Sequence, residues 1–461
     1  MVEAAAPTAD AKSPGAGRLI AAVALSAALS PLNSTMIAVA LGDMQSAFSI
    51  DSSRLRQYLV TSYLLTGIVL QSAGGKAGDR IGHHRTLALG QVLFATAALA
   101  AFALPSLPIV TLARITMAAA GAIIIPSAMA LLRSELPFEL RGRAFGAFGA
   151  TMGLSAAIGP RLGALLLTHF SWRAMFLANV PVLMISALLA HGAHRRPAPA
   201  AHGPRARFDW LGSILLGGSL ALLALGSERT GSRWFLLAGL LGLPLFALWE
   251  RRAPDPVVQF SLFKISAFSL GTLIIGFQNL AMYSLLFELP QVASRLFGVE
   301  PKATGRVLFA MMGAMVVASV ISGRLSDRLG ARWLAVAGSA SALCGVLLLR
   351  SAELLSLDQA LIPLIFVGLG LGMTAAPAQA ASLSAVPKTN AGMAAGLTST
   401  FRYIGGMAGL AIIGIVLSDN HNYETIQREH ATALTTFAVA LAAALACSFG
   451  LPRKADTTTR A

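Results

Sequence analysis

The chain is poor in charged residues, which make up 12% of its 461 positions, whereas 56% are hydrophobic and the mean hydropathy is +0.70. A soluble protein carries roughly 25% charged residues, so this chain has too few polar groups to cover a water-facing surface. The composition therefore predicts an integral membrane protein.

Several kinds of chemistry have few or no residues to support them. The chain has two cysteines, Cys344 and Cys447, and both lie in apolar runs, so neither a disulfide framework nor a metal site is predicted. It has no Gly-x-x-x-x-Gly-Lys-Ser/Thr loop, which argues against direct use of ATP. The net charge of +15 is spread over short clusters between apolar runs, which argues against nucleic acid as a partner. We expect no cofactor and no enzymatic activity.

Long apolar runs are abundant. A spanning helix needs roughly 20 mostly apolar residues, and because the runs do not alternate, helices are predicted rather than barrel strands. The predicted spans, about fourteen, are Leu19–Leu41, Gln57–Gly74, Thr86–Leu104, Ile109–Leu132, Ala144–Leu167, Ala174–Ala190, Phe208–Ser227, Trp234–Trp249, Ile265–Leu289, Val307–Ser322, Trp333–Leu349, Leu361–Leu383, Met393–Leu417 and Thr432–Leu451.

Basic residues in the connecting segments predict the orientation. With the N-terminus in the cytoplasm, the inner segments hold roughly 22 Lys and Arg and the outer segments roughly 10. Both termini of a multi-pass protein of the cytoplasmic (inner) membrane are therefore predicted to be cytoplasmic. The predicted divisions are a disordered tail (1–18), a six-helix bundle (19–190), a cytoplasmic linker (191–207), an inserted helix pair (208–249), a second six-helix bundle (265–451) and a tail (452–461).

One polar stretch occurs twice between apolar runs, where it is predicted to form a short loop with glycines at a tight turn. The first copy is Gly75–Arg85, and Gly323–Arg332 repeats its G-[KR]-x-[GS]-D-R-x-G pattern 248 positions later. The residues that define it are Gly75, Asp79, Arg80, Gly82 and Arg85 in the first copy and Gly323, Asp327, Arg328 and Gly330 in the second.

Two further landmarks repeat with nearly the same offset. Gly121 and Pro126 are matched by Gly372 and Pro377, 251 positions on, and Gly142 and Gly146 by Gly392 and Gly396, 250 positions on. The chain thus holds two parallel copies of one unit, with two surplus helices between them. Such a duplication predicts a central cavity that is exposed to alternate sides of the membrane as one half rocks on the other.

These motifs resemble the major facilitator superfamily, and more narrowly its fourteen-helix drug:proton antiporters. Gly75–Arg85 is similar to the superfamily's signature loop, and Gly159-Pro160-Arg161-Leu162-Gly163 to the antiporter motif of exporters. The resemblance implies an all-α membrane fold of two pseudo-symmetric six-helix bundles plus two inserted helices. It also implies a sealing role for Gly159, Pro160 and Gly163; ordinary close packing is the alternative.

The acid of the signature loop has a physical role available to it. Asp79 can lie near the positive N-terminal end of a neighbouring helix and pair with an arginine, and such a latch would hold the cytoplasmic side closed. The alternative is that the loop only sets the topology.

Polar residues within the spans are candidates for the path of substrate or protons. Where the antiporters have an acid in the first helix, this chain has Asn33, which cannot titrate. Glu288 is then the one intramembrane carboxylate that we can name, and Arg114, Arg161 and Arg402 are predicted to give a positive cavity that disfavours lipophilic cations. The candidate path residues are Asn33, Thr35, Arg114, Arg161, Gln278, Asn279, Glu288 and Arg402.

The predicted function is export of small amphipathic molecules by alternating access, in exchange for protons, by a monomer in the bilayer. A dedicated exporter of one metabolite or antibiotic, including an anionic one, is the main alternative. A membrane sensor or scaffold that does not transport, and a membrane-embedded enzyme, are more remote.

Overall fold

The computed structural model describes residues 14–50, 54–55, 57–192, 209–227, 233–254, 256, 258–298, 301–351, 357–417 and 422–453. Residues 1–13, 193–208 and 454–461, which hold most of the predicted tails and linker, lie outside the described residues. The described residues form fourteen long helices. The prediction of an all-α membrane fold is confirmed.

The long helices follow one another in the predicted order. They are α1 (Pro14–Phe48), α2 (Ser62–Ile81), α3 (His83–Ala103), α4 (Leu107–Glu135), α5 (Phe138–His169), α6 (Asn179–Gly192), α7 (Trp210–Ser227), α8 (Arg233–Glu250), α9 (Ser266–Phe297), α10 (Pro301–Leu329), α11 (Ala331–Ser351), α12 (Leu361–Ser384), α13 (Ala391–Val416) and α14 (Tyr423–Phe449). A π-helical turn, Gln57–Thr61, precedes α2, and short helices lie at Ala174–Leu177, Phe260–Lys264, Leu357–Ala360 and Lys388–Asn390.

Nine helices in the described part of the chain are long and apolar enough to cross a membrane by length and composition. A tenth is counted if the bent α5 forms one span. The bend is 42° between Leu140–Gly159 and Arg161–His169, at Pro160 in the sequence, and proline removes a helix hydrogen bond. The helix α6, with only 14 residues, is among the shorter apolar helices.

The signature stretch is a corner between helices rather than the predicted polar loop. The helix α2 continues to Ile81 and α3 begins at His83, so Gly82 alone is non-helical, with φ +92°. Gly330 makes the same corner between α10 and α11, with φ +82°. This left-handed conformation favours glycine, and its recurrence 248 positions later supports the repeat.

The predicted start of the last helix was wrong. It was placed at Thr432, whereas α14 begins at Tyr423. The side chain of Asn422 accepts the backbone N–H of Glu424 at 3.0 Å and caps the helix. Two polar turns therefore precede the apolar part, and a boundary drawn from hydropathy leaves them out.

The two halves of the chain, α1–α6 and α9–α14, pack together along two seams. In one seam α2 packs against α13, and in the other α5 packs against α10. Because α2 and α10 both end in the signature motif, the two seams are equivalent under the repeat. We call the end of the bundle where α2 meets α3 and α10 meets α11 the motif face.

The inserted helices α7 and α8 pack on each other, and α7 also contacts α2 and α13. The indole N–H of Trp249 donates to both carboxylate oxygens of Asp209 at 3.0 Å, which ties the two ends of the pair together. The insert thus lies beside a seam between the halves rather than apart from them.

Large apolar side chains cover the outside of the bundle. Ile415 is 75% exposed, Leu188 71% and Leu240 64%. Buried clusters of hydrophobic side chains fill the space between the helices. An apolar exterior around an apolar interior is the arrangement expected in lipid.

Candidate functional site

The clearest polar contact between the halves lies at the motif face. Asp79, near the end of α2, accepts the backbone N–H of Gly392 through Oδ1 and that of Met393 through Oδ2, both at 2.7 Å. The imidazole Nε2 of His83 lies 3.3 Å from Oδ1. One carboxylate of the first half therefore binds two donors at the N-terminus of α13, where the helix dipole also favours a negative charge.

Asp79 supplies the N-terminal cap that α13 lacks from its own N-cap residue. The first amides of a helix lack internal acceptors, and an asparagine at the N-cap often supplies one. Here the N-cap residue, Asn390, makes no side-chain cap. Its amide instead donates to Oε1 of Gln259 at 2.8 Å. The helix α13 is thus capped from the other half of the molecule.

Glycines bring the two backbones close enough for this contact. A Cβ on Gly75 would overlap the carbonyl of Gly392, and a Cβ on Gly392 would overlap the carbonyl of Gly75. The α2–α13 seam at the motif face is therefore a backbone-to-backbone contact that any side chain would force apart.

The mirrored seam has the same close approach of two backbones. A Cβ on Gly323 would lie 2.6 Å from the carbonyl oxygen of Gly142. Since α5 already begins at Phe138, the amide of Gly142 lies inside the helix, where an internal carbonyl takes it. The side chain of Asp327 lies outside the described part of the structure, and Arg328 is exposed.

A cation completes the contact at the motif face. Arg133, near the end of α4, is buried and donates to the carbonyl of Val386 and, at 3.4 Å, to that of Pro387. Both carbonyls follow the end of α12, where a positive charge is favourable. From the first half, Asp79 thus binds the N-terminus of α13 and Arg133 binds the C-terminal end of α12. These are two consecutive helices of the second half. From the sequence, Arg133 was assigned to an inner segment, and no function was predicted for it.

Other basic residues of the motif have different surroundings. Arg80 and Arg85 are exposed. The ammonium group of Lys76 donates to the carbonyl of Pro256 at 3.1 Å, which fastens the segment after the insert to the motif.

The stretch Gly159–Gly163 packs directly on α1. A Cβ on Gly159 would overlap Oγ1 of Thr35, and one on Gly163 would lie 3.2 Å from the carbonyl oxygen of Met36. Thr35 itself donates to the carbonyl of Pro31 at 2.9 Å. The glycines therefore allow close approach of α5 to the part of α1 that carries Asn33.

Arg114 and Asn33 form a buried polar centre in the first half. Arg114 is 1% exposed, its Nη1 donates to Oδ1 of Asn33, and its Nε donates at 3.0 Å to the carbonyl of Leu59 in the π-helical turn. Its guanidinium lies 4.0 Å from the ring centroid of Tyr63. Asn33 thus accepts a hydrogen bond from an arginine of its own half.

The three arginines that were expected to share one cavity have different surroundings in this structure. Arg114 is enclosed as described, and Arg161 is exposed. Arg402, on α13, is half-buried, with Nη2 donating to Oε1 of Gln379 at 2.9 Å and Nη1 lying 3.8 Å from Sδ of Met152 on α5. Periodicity could not separate these environments, because helix rotation decides which face each arginine occupies.

A small cavity lies between α1, α2, α4 and α13, where the halves meet. It has a volume of about 10 Å³, with Ser30, Tyr63, Gln71 and Tyr403 among its lining residues. The hydroxyl groups of Ser30 and Tyr63 are 2.9 Å apart. Nε2 of Gln71 has no hydrogen-bond partner within the described residues. Apolar walls with a few polar groups suit a small-molecule site.

Glu288, on α9, is buried, with 0% of its surface exposed. Its partner is His430 of α14, whose Nδ1 contacts its Oε1. This partner could not be predicted from the sequence, because His430 lies outside the predicted last span. Nearby on α9, Gln278 is buried, and Asn279 donates to the carbonyl of Ile275 at 2.8 Å.

Comparison with known proteins agrees with this architecture. A sequence model of the Major Facilitator Superfamily matches residues 23–410. The chain is 33% identical over 404 residues to the uncharacterized MFS-type transporter YvkA of Bacillus subtilis (strain 168), covering 86% of this chain and 90% of that protein. It is 30% identical over 412 residues to the tetracenomycin C resistance and export protein of Streptomyces glaucescens, covering 86% of this chain and 75% of that one.

A solved structure shows the same fold. The proton:xylose symporter XylE, bound to 6-bromo-6-deoxy-D-glucose, superimposes with a TM-score of 0.69, at 14% sequence identity and with 94% of this chain and 95% of that chain covered. The family match spans most of the sequence, and the duplicated helices, the paired seams and the central cavity are the parts that a carrier needs. The chain therefore belongs to the Major Facilitator Superfamily, as a secondary transporter rather than an enzyme.

Proposed function

We propose that this protein exports small amphipathic molecules, drugs or toxic compounds among them, across the cytoplasmic membrane in exchange for protons. The observation that carries the proposal is the capping of α13 by Asp79 of the other half. A contact of this kind closes one face of the bundle in one state and has to open in the other. The similarity to a resistance and export protein of Streptomyces glaucescens supports the direction of transport.

The orientation follows from the charge of the loops. The motif face carries the basic residues that the positive-inside rule assigns to the cytoplasm, so the contact of Asp79 with α13 closes the cytoplasmic side. The state described here is then closed toward the cytoplasm, and release of Asp79 and Arg133 from the ends of α13 and α12 opens it.

The cavity supports an amphipathic substrate. Its volume of about 10 Å³ is far below the roughly 300–1,000 Å³ of pockets that hold drug-sized ligands. The site therefore widens when substrate enters, as alternating access requires. Hydroxyl and amide groups of Ser30, Tyr63 and Gln71 supply hydrogen bonds in a mostly apolar lining.

A dedicated exporter of one anionic metabolite or antibiotic is the second candidate. It is favoured by Arg402, a half-buried cation that contacts Met152 across the seam between the halves. Asn33 cannot ionise, so it offers no negative counter-charge to a cationic substrate.

The test is efflux from cells with and without the protein, using the cation ethidium, the neutral dye Nile red and the anion lucifer yellow. We expect faster export of Nile red than in control cells, and loss of that difference when an uncoupler collapses the proton gradient. Export of lucifer yellow alone would favour the dedicated anion exporter. Equal efflux of all three dyes in both cell types would contradict export of this class of compound.

A further inference from the structure

An acid and an imidazole form a buried pair far from the motif face. Glu288 is 0% exposed and His430 3%, and Oε1 of the acid contacts Nδ1 of the ring. The pair joins α9 to α14 within the second half. Neither residue lines the small cavity described above.

The surroundings of the pair are apolar. Leu285 and Val292 lie one turn either side of Glu288, and Ile426 and Leu434 lie one turn either side of His430, all in one buried hydrophobic cluster. Ionisable groups in such a place are costly and mark a function more often than they stabilise a fold.

Each partner has one polar atom unused. Oε2 of Glu288 and Nε2 of His430 are buried and have no hydrogen-bond partner within the described residues. When Nδ1–H donates to Oε1 and Nε2 carries no proton, the pair has a net charge of −1. One further proton, held on Nε2 or on the carboxyl group, makes the pair neutral.

The free energy of the packing around the pair depends on whether this proton is bound. An apolar cluster tolerates a neutral pair far better than a net negative one. Binding of a proton therefore stabilises the packed α9–α14 contact seen here, and its loss favours rearrangement of these helices. A change in protonation is thereby converted into a change in packing of the second half.

The position suits loading from the outer side of the membrane. His430 lies seven residues after the start of α14 at Tyr423, or about 10 Å at 1.5 Å per residue. Glu288 lies beyond the middle of α9, on the side away from the motif face.

The elements packed against α9 and α14 carry other charged and titratable groups that act on this pair. In the described part of the chain, the titratable and charged groups on these elements toward the outer side are Tyr283 and Arg295 on α9, Arg306 on α10, Arg350 on α11, Asp358 before α12, Arg402 and Tyr403 on α13, and Tyr423, Glu424, Arg428 and Glu429 on α14. Arg306 pairs with Asp358, and Nε of Arg350 donates to Thr435.

We propose that Glu288 and His430 together bind the proton that is exchanged for substrate, a proposal that rests on the proposed proton-coupled export. The pair would do the work of the acid that this chain lacks at Asn33. The proton enters from the outer side while the motif face is closed and leaves toward the cytoplasm after the halves have rearranged.

The first test measures proton binding without any transport. Infrared spectra of the purified protein are recorded as the pH is lowered. The wild type is expected to gain a carboxylic-acid C=O band that is absent in Glu288→Gln and appears at a different pH in His430→Gln. The exposed acid Glu424 provides the control, since Glu424→Gln should keep the band. A spectrum in which Glu288→Gln loses no band overturns the proposal.

The second test separates coupling from transport in proteoliposomes. In Glu288→Gln, uptake of Nile red driven by an imposed pH gradient should fall about 100-fold, the scale of losing a positioned proton carrier. Exchange of the dye at equal concentrations on both sides should persist. Gradient-driven uptake equal to the wild type in both Glu288→Gln and His430→Gln contradicts the proposal. If the wild type moves no dye, the proposed export fails, and the infrared band alone decides whether the pair binds a proton.

Discussion

Asp79 accepts the backbone N–H of Gly392 at 2.7 Å, so a side chain of one half of the molecule caps a helix of the other. Because the N-cap residue Asn390 makes no cap of its own, separation of the halves would leave two amides of α13 without their acceptor. The cap therefore couples closure of the motif face to the folding of the first turn of α13. A substitution of Asp79 tests both.

Substitution of Asp79 should open the motif face. A hydrogen bond to a charged group contributes about 1.5–3 kcal/mol, so Asp79→Asn should raise the open population about tenfold to a hundredfold. The measurement is alkylation by an impermeant maleimide of a cysteine introduced at the buried position Gln71, with Cys344 and Cys447 replaced by serine. Reaction from the motif face should accelerate by a similar factor. Asp209→Asn, in the insert, is the control, and equal rates in the two variants would remove the proposed role of Asp79.

Glycine at the two seams should be required for closure. A methyl group on Gly75 overlaps the carbonyl of Gly392, and overpacking of this kind costs about 1–3 kcal/mol. We expect Gly75→Ala and Gly323→Ala to slow export at least about tenfold. Gly313→Ala is the matched control on α10, since its Cβ meets nothing within 4 Å. If all three variants export at the same rate, close approach of the backbones has no role in transport.

Arg114 should support the fold of the first half. Its replacement by leucine leaves Oδ1 of Asn33 and the carbonyl of Leu59 without their donor, and each buried acceptor left unsatisfied costs about 1–3 kcal/mol. Arg114→Leu should therefore lower the thermal unfolding temperature in detergent markedly. Arg161→Leu makes the same chemical change at an exposed position and should alter stability by no more than about 0.5 kcal/mol. Equal unfolding temperatures for the two variants would show that Arg114 has no structural role.

Arg402 should influence the charge of the molecules that are exported. Arg402→Gln removes the half-buried cation at the seam while keeping a group that can hydrogen-bond to Gln379. We expect export of lucifer yellow to fall relative to Nile red, because an anion in a partly desolvated site depends on a nearby positive charge. Unchanged relative export rates for the two dyes would separate Arg402 from substrate selection.

The repeat and its turns could be predicted from the sequence because they depend on local chemistry. Gly82 and Gly330 adopt positive φ at equivalent corners, and spacing alone identified both. The sequence predicted that Asp79 lies near the N-terminus of a neighbouring helix, because a carboxylate is favoured there. Which helix it caps, here α13, depends on which helices the tertiary fold brings together.

Contact partners that are distant in the chain could not be predicted from the sequence, for similar reasons. The partner of Glu288 is 142 positions away in the chain, and hydropathy placed His430 outside the last span although it lies in the second turn of α14. Arg114, Arg161 and Arg402 all lie in apolar runs of the sequence, yet the rotation of each helix puts them in three different environments. Asn422, followed two residues later by Glu424, is the capping signal that would have corrected the start of α14.

The measurement that tests alternating access most directly is the distance between spin labels across the two halves. One pair of labels is placed on the motif face, at Arg85 and Thr389, and a second pair on the opposite face, at Ser106 and Ser351; all four positions are exposed. When the pH is changed or Nile red is added, the account predicts that one distance lengthens as the other shortens, and that Asp79→Asn shifts both toward the state open at the motif face. Distances that stay fixed at both faces, or that lengthen together, would contradict it.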